Sequence, residues 1–248
     1  MSGVVRTSRP SDGVVALALE DREHSNLLTA PLVQGLAEGL ERAVADPSTR
    51  AVVVHGYDSI FCTGGTRDEL LGIFEGRVQF DDVPLYRLFL DCPLPVVAAM
   101  QGHALGGGLV IGLFADLVVL AEEALYAANF MKYGFTPGMG ATAVLPHKFG
   151  RPLATEMLLT AAGYHGGELA RRGVTLPVLP RKRVVDHALA LAKDLASKPR
   201  TSLELLKEAL TAELRQILPS AVEKELAMHR VTFAQPEVRR RIEELFGA

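Results

Sequence analysis

The apolar positions of this chain fall into short continuous runs separated by longer segments of helical spacing. Val14–Leu19, Ala51–His55 and Val96–Met100 are apolar runs bounded by turn residues, which predicts strands buried on both faces. Between the first two, Ala30–Ala45 repeats its apolar positions at helical intervals and predicts an amphipathic helix. Residues 116–121 and 125–128 extend the strand series, and 154–159 and 167–172 read as short helices. Such alternation predicts parallel βα units and an α/β fold. From residue 186 the pattern changes to long helices, with Pro199, Pro219 and Pro236 placed at or near helix starts. The chain is thus expected to hold a core over 1–185 and a helical C-terminal extension over 186–248, within one domain unit.

Composition narrows the function more than the fold. With 248 residues and 48% hydrophobic content, the chain can bury one large core, and no linker divides it. A net charge of −3 and the lack of an interleaved basic and aromatic stripe argue against nucleic acid. No run approaches a membrane span and the N-terminal MSGVVRTSRP has no apolar signal region, so a cytoplasmic protein is expected. Cys62 and Cys92 lack partners at zinc or redox spacing and read as packing residues. The acid pairs Glu122-Glu123 and Asp81-Asp82 have no His or Cys at ligand spacing; they read as solvated, and no metal site is expected. Arg181, Lys182 and Arg183 form a basic cluster that fits a solvated turn, an acidic carrier protein or a coenzyme phosphate.

Chemistry concentrates at two glycine elements. Val96–Met100 is followed by QGHALGGGLVIGLFA, in which Gly106, Gly107 and Gly108 open an apolar helix. Unpaired amides at a helix start favour an anion, either a phosphate or a developing oxyanion. Neither the dinucleotide nor the P-loop glycine spacing is present. Close packing of helix on sheet explains the same glycines. The second element, FCTGGT, follows the strand Ala51–His55 and carries Gly64 and Gly65.

With both elements in view, the chain resembles the crotonase (enoyl-CoA hydratase/isomerase) superfamily. EDREHSNLLTAPL looks like that family's N-terminal coenzyme A–pantetheine loop, and the likeness runs to the terminal helices. The resemblance implies a spiral of ββα units with a C-terminal trimerisation extension, in a homotrimer or hexamer. It assigns the two oxyanion amides to Gly65 and Gly107. It also implies that residues 69–87, read as a helix and loop, cover the acyl pocket, with Phe74, Arg77, Phe80 and Tyr86 as candidates to touch it.

At the two positions where hydratases of this superfamily carry their catalytic glutamates, this chain has Val110 and Phe130. Neither can act as general acid or base, which disfavours hydration and glutamate-dependent isomerisation. Loss of CO2 needs no base, because the departing group itself leaves the enolate behind. The blocks from Gln101 to Thr142 and EKELAMHRVTF further resemble the decarboxylating crotonase homologues of polyketide β-branching cassettes. That resemblance implies conversion of 3-methylglutaconyl thioester on an acyl carrier protein to 3-methylcrotonyl thioester, through a dienolate. No cofactor is implied beyond the phosphopantetheine of the carrier, or coenzyme A, that bears the substrate. The AMH element places the family's catalytic histidine on His229. Some of these decarboxylases also use a lysine after the first oxyanion amide, and none occurs between Gly65 and Lys132. Arg77 is the substitute chosen to hold the carboxylate, with Arg67 as competitor; His103, Asn129 and Lys132 are further candidates near the pocket. A dehydratase or isomerase of the same superfamily is the alternative enzyme, and a non-catalytic carrier-binding scaffold is the alternative of another class.

Overall fold

The computed structural model describes residues 3–77 and 85–246. Along the chain run β1 (Val5–Ser11), β2 (Val14–Leu19), α1 (Ala30–Ala45), β3 (Ala51–His55), β4 (Ile60–Cys62) and α2 (Arg67–Phe74). A 3-10 turn at Leu85–Arg87 leads into α3 (Leu88–Asp91), then β5 (Val96–Met100), β6 (His103–Leu105), α4 (Gly107–Leu113), β7 (Leu117–Ala121) and β8 (Leu125–Ala127). A second 3-10 turn at Asn129–Tyr133 precedes α5 (Ala141–Phe149), α6 (Arg151–Thr160), β9 (Gly163–His165), α7 (Gly166–Arg171) and β10 (Val178–Leu179). Three helices close the chain: α8 (Arg181–Ala196), α9 (Arg200–Thr232) and α10 (Pro236–Leu245).

Two sheets arise because each repeat gives one strand to each. The larger has the order β1-β2-β3-β5-β7-β10 and the smaller β4-β6-β8-β9. β2, β3, β5 and β7 pair in parallel, and their apolar runs are buried almost throughout. β4, β6 and β8 also pair in parallel, so β3-β4-α2 and β5-β6-α4 are successive ββα turns of a spiral. Residues 125–128 were expected to lengthen the first sheet, whereas β8 belongs to the second. Two- and three-residue strands cannot display a period, so neither β4 nor β6 has a hydrophobic signature of its own.

Buried polar groups join the spiral to its edges. Asn26 is fully buried; its Nδ2 donates to Leu19 O (3.0 Å) and Phe61 O (2.9 Å), while its Oδ1 accepts from Asp21 N–H (2.8 Å). Tyr126 Oη donates to Met100 O at 2.6 Å and accepts from Ala121 N–H at 2.8 Å, bridging the two sheets.

The C-terminal region departs from expectation in two ways. α8 starts at Arg181 and packs across β2, β3, β5 and β7, so a division at residue 185 falls inside a helix of the core. The basic cluster is its first turn, capped by Glu123 Oε2, which accepts from Arg181 N–H at 2.8 Å. Pro219, expected at a helix start, lies inside the 33-residue α9. An interior proline costs about 3 kcal/mol. Leu214 and Leu218 before it and Glu225 and His229 after it are all buried, and these anchors keep both halves packed on the core.

Candidate active site

Two glycine turns meet at the top of the spiral. Gly64 has φ +96°, and a Cβ there would fall 2.8 Å from Leu105 O, so only glycine fits. Its carbonyl accepts from Leu28 N–H at 2.8 Å, which brings the 21–29 loop against the turn. Gly65 follows, one residue before the Thr66 N-cap of α2, and nothing lies within 4 Å of where its Cβ would be. On the neighbouring repeat, Gly106 adopts φ +51° and its N–H is bound to Ala127 O at 2.8 Å. Gly107 is then the first residue of α4, where an amide has no partner within the helix. A Cβ on Gly64 would lie 3.6 Å from Gly107 N, so the two turns are in contact. Gly108 serves packing instead: a Cβ there would meet Cys62 O at 2.2 Å.

Both turns open onto a cavity of about 530 Å³. Its walls are largely apolar, with Val33 from α1, Leu70 and Ile73 from α2, Phe130 and Phe135 from the loop after β8, and Phe246 from the chain end. Gln34, Thr63, Asn129 and the Tyr133 phenol are the uncharged polar side chains among the described lining residues. Asn129 Oδ1 lies 2.9 Å from where a Cβ of Gly106 would project. No Lys, Arg or His lines the cavity among the described residues. Glu69 does line it, although its Oε2 accepts from both Thr66 N–H (3.0 Å) and Thr66 Oγ1 (2.9 Å) in a capping box. Sequence reasoning missed Glu69, and the Thr66-x-x-Glu69 pattern was the signal that could have found it.

Of the residues expected near substrate, Gly65, Gly107, Asn129 and Phe130 line this cavity, and the other described ones do not. Val110 is fully buried within α4 behind the wall. His103 faces the second sheet, where its Nδ1 accepts from Leu125 N–H at 2.9 Å; burial, with Arg181 nearby, lowers its pKa. Arg77 is exposed and paired with Glu75 (Nε to Oε2, 2.7 Å), since a neighbouring carboxylate on the surface offers it a partner without desolvation. Lys132 is exposed beside the Tyr133 ring, which avoids burying its ammonium. Arg67 is exposed on α2, and Phe74 faces Arg239 at 5.9 Å. Phe80 and the Asp81-Asp82 pair fall outside the described residues. Cys62 and Cys92 are both buried, and burial pushes the Cys62 thiol up to about 12.

His229 lies behind the cavity wall rather than on it. It is 4% exposed on α9, its Nε2–H donates to Thr136 O at 2.8 Å, and its ring meets the edges of Phe135 and Phe233. Burial lowers its pKa below the ordinary histidine value. It borders a small second chamber with Tyr86, Glu225 and Met139. Phe135 and Met139 also line the main cavity, so one layer of side chains separates the imidazole from it.

Known proteins share this fold. The enoyl-CoA hydratase/isomerase family pattern matches residues 9–245. The chain is 49% identical over 244 residues to the bacillaene synthase decarboxylase PksI of Bacillus subtilis, covering 98% of each. A solved structure from a dehydratase/decarboxylase enzyme couple involved in polyketide β-branching aligns with a TM-score of 0.97 at 48% identity, over 99% of this chain and 97% of that one. The ECH2 decarboxylase domain of CurF from Lyngbya majuscula aligns with a TM-score of 0.94 at 40% identity, over 98% and 99%. A ββα spiral whose two glycine turns meet at one apolar cavity, matched over nearly its whole length, places this chain in the enoyl-CoA hydratase/isomerase (crotonase) family.

Proposed function

We propose that the protein is a crotonase-type decarboxylase that converts a 3-methylglutaconyl thioester, carried on an acyl carrier protein, to a 3-methylcrotonyl thioester in polyketide β-branching. The observation that carries this is the cavity itself. It combines two glycine amides with apolar walls, and among its described lining residues it holds neither a cation nor a pair of carboxylates.

The thioester oxygen accepts from the Gly65 and Gly107 amides, each worth about 3–4 kcal/mol when such a donor is removed. The distal carboxylate then faces apolar walls, where the charged form loses hydration that neutral CO2 does not need. Its bond to the γ-carbon breaks, CO2 leaves, and the electron pair passes through the vinylogous system onto the thioester oxygen as a dienolate. One proton returns to carbon, and His229 is its assigned donor. A carbonyl can only accept, so the Nε2–H bond to Thr136 O leaves Nδ1 as the deprotonated nitrogen of the neutral ring. His229 therefore gives a proton through Nδ1 only as imidazolium. No cofactor or metal takes part in these steps.

The phosphopantetheine arm of a carrier protein supplies the substrate. α9 leaves Leu206, Leu210 and Ile217 exposed on one apolar stripe, which supports assembly of copies into the family's trimer. Among the described residues, no helix is long and apolar enough to cross a membrane.

Intact-mass spectrometry of 3-methylglutaconyl-loaded carrier protein tests the assignment. Loss of the mass of CO2 on adding enzyme is the expected result. An unchanged mass would sink it, and addition or loss of water would favour a hydratase or dehydratase instead.

A further inference from the structure

Met139 is the residue the two chambers share. It lines both the 530 Å³ cavity and the space of about 10 Å³ beside His229, Tyr86 and Glu225. Its thioether Sδ lies 2.8 Å from where a Cβ of Gly107 would project, so the side chain rests against the glycine assigned to the oxyanion site.

The backbone at Met139 is unusual. With φ +62° it occupies the left-handed region, which a non-glycine residue adopts at a cost, between Gly138 and Gly140. Neighbouring contacts hold it there. Glu225 Oε2 accepts from Gly140 N–H at 2.7 Å, and a Cβ on Gly140 would meet Leu218 Cδ1 at 2.6 Å. The helix that carries His229 therefore also fixes the turn that carries Met139. The backbone is clamped, while methionine keeps three rotatable side-chain bonds.

We propose that the Met139 side chain is a movable partition between the acyl cavity and His229, and that its position sets how large an acyl branch the enzyme accepts. In the arrangement seen here the space beside His229 is about the size of one water probe, too small for substrate atoms. Rotation of the thioether away from Gly107 joins the two spaces and exposes the imidazole to the reacting carbons. The kinetic consequence rests on the decarboxylase assignment; the accessibility of His229 does not.

Two variants of the full chain test this. Met139→Gly removes the partition and also relieves the left-handed backbone, so the fold is retained. Met139→Phe enlarges it. Labelling with diethyl pyrocarbonate, read at each histidine by peptide mass spectrometry, should modify His229 about tenfold faster in Met139→Gly, as for a lowered local opening cost, with the other histidines as internal reference. Decarboxylation of glutaconyl, 3-methylglutaconyl and 3-ethylglutaconyl pantetheine thioesters should show kcat/KM for the largest rising relative to the smallest in Met139→Gly and falling in Met139→Phe. A single methylene in an apolar pocket is worth about 10–200-fold. Unchanged labelling of His229 would overturn the partition, and unchanged size preference would overturn its role in selectivity. Absence of CO2 release from every thioester with wild-type enzyme would instead count against the decarboxylase assignment, with the labelling still deciding the partition.

Discussion

Glu225 of α9 and Thr142 of α5 are joined twice, the carboxylate Oε1 accepting from both Thr142 N–H (2.8 Å) and Thr142 Oγ1 (2.5 Å). The other oxygen accepts from Gly140 N–H, so one buried side chain caps α5 and holds the turn beside the cavity. Glu225→Ala would orphan two backbone donors and should cost about 2–6 kcal/mol, at about 1–3 kcal/mol per buried group. Urea unfolding measures it. Equal stability of variant and wild type would show that the cap contributes nothing.

The two assigned oxyanion glycines should respond differently to alanine. At Gly107 a Cβ would meet the side-chain ends Met139 Sδ (2.8 Å) and Leu28 Cδ1 (3.0 Å), which must swing aside and crowd the space beside the amide. Crowding of the oxyanion site predicts a fall in kcat, with the about 10²–10³ of a fully lost donor as its upper limit. At Gly65 the Cβ meets nothing within 4 Å, so Gly65→Ala should keep its stability and raise KM by intruding on the cavity. Steady-state kinetics on the two variants separates these effects, and identical kinetic defects would contradict the geometry.

His229 gives opposing pH dependences for stability and activity. Its folded pKa is lowered by burial, so its contribution to stability is complete above the unfolded value of about 6.5 and is lost as pH falls through the folded one. With His229 as the proposed proton donor, activity runs the other way, because an imidazole donor must be protonated. kcat/KM, which reports the free enzyme, should fall as pH rises through a pKa below 6.5. His229→Gln should abolish that limb and reduce the loss of stability towards pH 5, about the range of a histidine titration. A limb that persists in His229→Gln would assign it to another group.

Lys207 ties α9 to the core. Its Nζ donates to Phe89 O (2.8 Å), Leu94 O (3.0 Å) and Asp116 Oδ2 (2.7 Å), and Asp116 Oδ2 also accepts from Val96 N–H at 2.8 Å. Removing one partner of a buried pair costs about 3–5 kcal/mol. Lys207→Ala should lower the denaturation midpoint accordingly, while Lys207→Ala with Asp116→Asn should recover part of the loss. A double variant no better than the single would exclude the pairing as the cause.

Cys62 lies under the Gly108 turn with its thiol pushed to about 12. The thiolate is the reactive form, so native protein should resist iodoacetamide at mildly alkaline pH and keep its activity. Rapid labelling of Cys62 with loss of activity would show that the β4–α4 contact opens.

The sequence by itself determined the parts that rest on local constraints. Continuous apolar runs marked β2, β3 and β5 because a strand buried on both faces needs no polar side. The glycines at 64–65 and 106–108 marked the two turns, because a left-handed backbone or a close approach at Gly64, Gly106 and Gly108 excludes a Cβ. Val110 and Phe130, at the positions that the family resemblance matches to its two glutamates, spoke against glutamate chemistry. Only the tertiary structure decided what depends on residues distant in the chain. The second sheet is made of strands too short to carry a period. Pro219 is tolerated because buried anchors on both sides pack α9 on the core. His103 is spent on Leu125, and Arg77 on Glu75. His229 reaches Thr136 across 93 residues, behind Met139 rather than on the cavity wall, and no local pattern encodes a contact made by two surfaces that meet only on folding.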